Sequence, residues 1–276
     1  MTQQLKIDGI DVFIEGEGAE TIVMLHGWPD TYRVWDGAVA ALKDKYRCVR
    51  FTLPGFDISQ PRKMYSLDAT LRILLHIVNT VSPKQKVILM LHDWGCVFGY
   101  QFYMRHKGQV SSIIGVDIGD AVSEETQRTY SFTARMMVGW YQGTLAMAWK
   151  IGGPVGNAMT RMVANVLKAP SPREYISCKM NFPYYIKWVG DEGSYASMLP
   201  FEPQCPMLYI YGLRKPFMFH SPQWTEKLAA QRGSKVVAMR SDHWPMLRKA
   251  DEFNQVVRSW LEGTVTKTEE GDVEAA

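Results

Sequence analysis

Cysteine is scarce in this chain: four residues in 276, at Cys48, Cys96, Cys178 and Cys205, with no C-x-x-C pair. That spacing excludes a disulfide framework and a zinc knuckle, and it implies reduced thiols in a cytoplasmic protein. An excess of one charge sign is also missing. There are 31 Lys and Arg against 28 Asp and Glu, a net charge of +3, and the basic residues are scattered. Such a balance calls for neither nucleic acid nor a membrane surface as a partner. No apolar run reaches the roughly 18 residues of a membrane span. The opening residues, MTQQLKIDGI, lack the basic and apolar regions of a secretory signal. "GGPVG" is not followed by the Lys-Ser/Thr of a phosphate loop and reads as a turn. No internal repeat or metal-ligand spacing is present, so neither a cofactor nor a metal is expected.

What the chain does have is apolar bulk: 46% hydrophobic residues, with 16 Met and 9 Trp. This suits a large interior and a buried pocket for a small apolar molecule. Along most of the chain, short apolar runs alternate with amphipathic segments. "TIVMLHGWPD" reads as a strand ending in a Gly/Pro loop, and Asp30 to Lys45 has helical spacing. "YRCVRFTLPGF" is a second strand. "SLDATLRILLHIVNTV" is an amphipathic helix with Ser66 at its N-cap. After "VSSIIGVDIGD" the rhythm breaks, then resumes with strand "PMLYIYG", helix 222–231, strand "KVVAMRS" and helix 246–261. The alternation predicts an α/β protein, a mostly parallel eight-stranded sheet with helices on both faces. Residues 1–120 and 204–262 form the expected core and 121–203 a helical cap. The polar tail, 263–276, is expected to be disordered.

In such sheets, ligands gather at the carboxyl ends of the strands. Four features fall there: His26-Gly27-Trp28-Pro29, Asp93, Asp117 and His243. The stretch "VILMLHDWGCVFGYQFYMRH" places Asp93 between an apolar strand and a helix. A mere N-cap is one reading of this carboxylate. The other is an elbow that lifts a nucleophile above the sheet, with Gly95 clearing the tight turn. A carboxylate nucleophile forms an ester, and water must then release it. His243, in "SDHWPM", is the candidate base, and it needs an orienting acid. The backbone N–H groups of Trp28 and Trp94 are candidates to hold the oxyanion.

Together, "HGWP", "LPGF", "HDWG", the insertion and the late "DHW" resemble the α/β-hydrolase family over roughly residues 5–262. An Asp nucleophile with an HG-x-P loop resembles the epoxide hydrolase and haloalkane dehalogenase branches. G-x-S-x-G, the serine esterase signature, is absent. In most of the family the triad acid follows the strand equivalent to "PMLYIYG". Here that loop reads Leu213-Arg214-Lys215-Pro216 and holds no carboxylate. One dehalogenase subfamily carries its acid after the strand that follows the elbow helix. The resemblance then implies the order Asp93, Asp117, His243, with Asp120 as the alternative acid. The departure at Lys215 also motivates a non-catalytic, ligand-binding homologue, in which Asp117 lies out of reach of His243.

The resemblance implies two cap tyrosines for epoxide opening. Tyr141 has the family's spacing from the nucleophile, and "MNFPYYIKW" offers Tyr185 and Tyr184. A dehalogenase would instead need two N–H donors for the departing halide, from Trp94 with Trp28, Trp140, Trp149 or Trp188. The tyrosine pair favours an epoxide hydrolase-like enzyme, with the dehalogenase as alternative. His26 is read as a brace for the oxyanion loop, and His92, His76, His106 and His220 as structural. The oligomeric state is not set by the sequence, and a homodimer stays open.

Overall fold

The structure, a computed structural model, describes the backbone of residues 2–273 and the side chains of residues 2–263. Its eight strands are β1 (Thr2–Ile7), β2 (Ile10–Glu15), β3 (Thr21–Leu25), β4 (Arg47–Phe51), β5 (Val87–His92), β6 (Val110–Val116), β7 (Met207–Gly212) and β8 (Lys235–Met239). They form one sheet in the order β1-β2-β4-β3-β5-β6-β7-β8. The β1–β2 and β2–β4 pairs are antiparallel and the other five are parallel. Every residue of β3 and β5 is buried, as expected of parallel strands covered on both faces.

Alternation along the strands divides the core. Val23, Leu25, Leu89 and Leu91 point into one apolar cluster. Ile22, Met24, Ile88 and Met90 point into the other. The first is filled by α2 (Leu67–Val81) and α3 (Trp94–Arg105), the second by α1 (Asp36–Leu42) and α10 (Ala250–Val273). In α2, Leu67, Leu71, Leu74, Ile77, Val78 and Val81 form the buried face. The Ser66 hydroxyl caps the helix by accepting from the Ala69 N–H at 3.1 Å.

Between β6 and β7 the chain forms α4 (Glu124–Thr129), α5 (Phe132–Ile151), α6 (Gly153–Val166) and α7 (Phe182–Val189). The remaining helices are α8 (Pro222–Ala229) and α9 (Pro245–Arg248). Three local expectations change. The helix predicted from Asp30 opens as a 3-10 turn at Tyr32–Trp35, with the Thr31 hydroxyl capping it, before α1 starts. The helix predicted over 246–261 is two pieces, α9 and α10, broken where Lys249 leaves helical dihedrals. The last helix continues to Val273, where the tail was expected to be disordered. Extending a helix anchored by Phe253, Val257 and Leu261 costs less than starting one. The part of that tail from 274 to 276 lies outside the described residues.

Strand order reverses around β3: the chain passes from β3 to β4 on one side, then to β5 on the other. The loops after β3 and β5 therefore diverge at one point and leave a crevice between them. His26 to Asp30 and Asp93 sit in those two loops.

Candidate active site

Asp93 occupies the turn between β5 and α3 with φ 52° and ψ −120°, a positive φ unusual for a residue with a Cβ. Its side chain makes no cap hydrogen bond to α3, so the N-cap reading falls. Instead, Oδ1 accepts from the Trp28 N–H at 2.6 Å, and Oδ2 lies 3.4 Å from His243 Nε2. Two glycines make this close approach fit. A Cβ on Gly95 would stand 2.3 Å from the Leu25 carbonyl oxygen, and one on Gly27 would stand 2.3 Å from Asp93 Oδ1. α3 thus presses against the end of β3, and the His26–Asp30 loop against the carboxylate.

The other ring nitrogen of His243, Nδ1, hydrogen-bonds Asp117 Oδ2. Asp117 ends β6 with φ 70° and is fully buried. Its Oδ1 accepts from the Gly212 N–H at 2.9 Å and from Lys215 Nζ. The position where most of the resembled family would carry the acid is therefore filled by a buried cation that pairs with the acid from β6. Asp117 is within hydrogen-bond reach, contrary to what the non-catalytic reading required. Asp120, the alternative, is engaged elsewhere. It accepts from Ser123, Thr126 and both the N–H and hydroxyl of Ser221, and so ties the start of α8 to the end of β6.

The charges are coupled. Burial alone would lower the His243 pKa, but the Asp117 carboxylate and then Asp93 raise it to about 9. Burial would raise Asp93, yet the His243 hydrogen bond and charge hold it below the usual carboxylate range. Asp117 is likewise held low against burial by Lys215 and His243.

A further layer of polar contacts fixes these groups. His26 accepts from the Leu53 N–H through Nε2 at 2.9 Å, and its Nδ1 lies 2.9 Å from the Gly27 carbonyl oxygen, bracing the Trp28 loop as expected. Burial pushes His26 down to about 4, so the brace is neutral. His92 Nε2 bonds the His243 carbonyl oxygen at 2.9 Å, and its ring lies 4.6 Å from that of His243. Asp30, buried, accepts from Trp244 Nε1 at 2.9 Å and from the Ser171 hydroxyl. The Trp28 indole donates to Asn181 Oδ1 at 2.8 Å, and Asn181 donates to Thr160. Asn181, Asp30 and Lys215 were missed as site-building residues because their partners are remote in sequence; no local motif marks them.

Above Asp93 a cleft of about 1070 Å³ runs between the sheet and the inserted helices. Near the carboxylate it is lined by Trp94, Val97, Ile118, Tyr141, Tyr184 and Phe219, and farther out by Gln204, Gln223 and Lys227. Tyr141 and Tyr184 both line it, with their rings 6.2 Å apart, edge to face. Tyr185 does not; it packs half-buried against the core. Adjacent residues on a helix point about 100° apart, so only one of the two tyrosines can face the cleft. Gln142 Nε2 donates to the Tyr141 hydroxyl at 3.0 Å, which leaves that hydroxyl's proton free to donate. Burial raises both tyrosine pKa values well above the ordinary one. Trp140 and Trp188 are exposed, and Trp149 packs against Phe182 away from the cleft. Among the described residues no cluster of His, Cys, Asp and Glu could hold a metal ion.

A profile of the alpha/beta hydrolase fold matches residues 20–148. The "Probable oxidoreductase EphD" of Mycobacterium tuberculosis is 31% identical over 107 residues, covering 37% of this chain and 18% of that protein. The "Cis-3-alkyl-4-alkyloxetan-2-one decarboxylase" of Xanthomonas campestris is 30% identical over 104 residues, covering 34% of this chain and 35% of that one. The alignment thus spans only a minor part of either relative's length. A crystal structure of Bacillus megaterium epoxide hydrolase superposes with a TM-score of 0.65 at 17% identity, covering 94% of this chain and 100% of that chain. At that identity the likeness speaks for the fold alone. The chain has the α/β-hydrolase fold.

Proposed function

We propose that the chain is a cofactor-independent hydrolase of the epoxide hydrolase kind, with the helices between β6 and β7 as its cap. One observation carries this reading: Asp93 lines a large cleft, with one oxygen on a backbone N–H, the other near His243 Nε2, and two tyrosines, Tyr141 and Tyr184, lining the same cleft. Asp93 Oδ2 attacks an epoxide carbon and the ring C–O bond breaks. Tyr141 and Tyr184 donate hydrogen bonds to the departing oxygen; their high pKa values keep both protonated as donors. Water then attacks the ester carbonyl, His243 Nε2 takes its proton, and the Trp28 and Trp94 N–H groups hold the oxyanion. Collapse releases a diol and restores the carboxylate.

The proton count closes. In the resting site two carboxylates favour the imidazolium of His243. Ester formation removes the Asp93 charge, so the His243 pKa falls. The opened ring takes up the proton that the imidazole gives up, and a neutral base remains for the water step. The base is thus set up by the first step.

Halide release is less well supported. It needs two N–H donors, and the Trp28 indole is held by Asn181, while Trp140, Trp149 and Trp188 do not line the cleft. The strained oxetanone named for the Xanthomonas relative is a second small-ring class to assay, because C–O cleavage by the same carboxylate would open it.

Single turnover in heavy-oxygen water tests the route. Label is expected on Asp93 and not in the first diol released; label in that diol overturns the covalent route. Asp93→Asn is expected to abolish turnover, and His243→Gln to trap the ester, detected by intact mass. Halide release without diol formation across a substrate panel would move the reading to a dehalogenase.

A further inference from the structure

The large apolar side chains left exposed among the described residues gather in the segment between β6 and β7. On α5 they are Phe132, Met136, Trp140, Met147 and Ile151, each between 43% and 77% exposed. Their spacings of 4, 4, 7 and 4 residues keep them on one side of the helix. Val155, Met162 and Val166 do the same on α6, which follows α5 through Gly152-Gly153. Trp188 of α7 lies beside Gly143 of α5, 3.9 Å from where a Cβ would stand, and so extends the α5 surface. Exposed apolar side chains aligned along two successive helices in this way mark an interaction site.

The whole segment between β6 and β7 is neutral, but the charge of its part from α5 to α7, which bears this face, says what covers it. Residues 132–189 contain seven Lys and Arg and one acidic residue, Glu174, so they carry +6 in a chain whose net charge is +3; the rest carries 3 − 6 = −3. Arg135, Lys150, Lys168, Arg173 and Lys187 are exposed. None of them forms an ion pair among the described residues. A second copy of the chain would bring like charges together. An anionic lipid surface complements both properties, taking apolar side chains and Trp rings into the headgroup region and basic side chains against its charge.

We propose that the exposed face of α5 and α6, with Trp188, docks the protein on the surface of an anionic bilayer. The helices lie in the interface; no helix among the described residues is long and apolar enough to cross a membrane. This departs from the expectation of no membrane partner. That expectation came from the near balance of charge over the whole chain; within 132–189 acidic residues are scarce, with one of the chain's 28. The docking stands independently of the reaction assigned to Asp93.

Co-sedimentation of the full chain with vesicles tests it. Binding to phosphatidylcholine vesicles containing phosphatidylglycerol is expected, about tenfold weaker on phosphatidylcholine alone. It should weaken further as salt rises from about 0.1 M to about 1 M. Lys150→Glu with Arg173→Glu should remove the lipid preference, and Phe132→Ser with Met147→Ser should abolish binding, with circular dichroism unchanged. The lipid and salt dependence of the unaltered protein decides the matter should a variant misfold. Absence of binding to the anionic vesicles overturns the proposal. So does a concentration-dependent dimer, seen by sedimentation equilibrium, that Phe132→Ser with Met147→Ser dissolves, because the face then belongs to a second copy.

Discussion

Lys215 stands one carboxylate away from His243. It pairs with Asp117 Oδ1 while His243 bonds Oδ2, and its side chain is only 7% exposed. A cation there stabilises the Asp117 charge and opposes the imidazolium, so it limits how far two carboxylates can raise the His243 pKa. The groups that face His243 are Asp93, Asp117, the neutral ring of His92, and the Phe219 and Trp244 rings. On the proposed covalent route, Lys215→Met is therefore expected to raise the His243 pKa in the ester intermediate. The acid limb of the kcat–pH profile should move up by roughly one pH unit, and Lys215→Arg should largely restore it. A profile unchanged by Lys215→Met would show that the cation acts on folding alone. The residue also shows what a motif hides. The sequence marks Lys215 as a position where an acid is missing. Only the contact across 98 residues makes it the partner of Asp117, the candidate acid.

At the scale of elements, the elbow depends on how closely α3 meets β3. Gly95→Ala puts a Cβ 2.3 Å from the Leu25 oxygen and 2.5 Å from the His26 oxygen. Backbone cannot yield there without moving the helix, so a loss of about 1–3 kcal/mol is expected, with a fall in turnover because Asp93 moves with α3. Ser66→Ala removes the cap of α2, far from the site, and should cost about 1 kcal/mol while turnover is kept. Urea denaturation and turnover, measured on both variants, separate the two effects. Strands β3, β5 and β6, the capped α2 and the elbow were legible because periodicity and turn chemistry are local. Which of Tyr184 and Tyr185 faces the cleft was not legible. Both fit the same aromatic motif, and the choice depends on the rotation of α7 against the sheet.

At the scale of the whole molecule, two buried titrations set how stability changes with pH. His243 binds its proton more tightly folded than unfolded, with a pKa raised from 6.5 to about 9. Its stabilising contribution is fully present below 6.5 and is lost as pH rises through about 9. Asp30, raised by burial from 3.8 to about 6 despite its bonds to Ser171 and Trp244, adds a loss of the same sign at lower pH. Calorimetry should show the melting temperature falling between pH 6.5 and 9, and His243→Gln should flatten that window. A melting temperature that rises across it in the unaltered protein would contradict the paired imidazolium. The same division of causes runs through the protein. The sequence alone determined the alternating strands and helices, the turn at Asp93 and the loop of His243, since each follows from residue order within a few turns of chain; Asp117 as candidate acid, with Asp120 as its alternative, came from the family resemblance. Tertiary structure decided what depends on distant segments meeting. It joined Lys215 to Asp117 and Trp28 to Asn181, put Tyr184 rather than Tyr185 in the wall of the cleft, and left apolar side chains exposed along α5 and α6. Contacts between remote residues, and the surface that remains uncovered, exist only once the chain is folded.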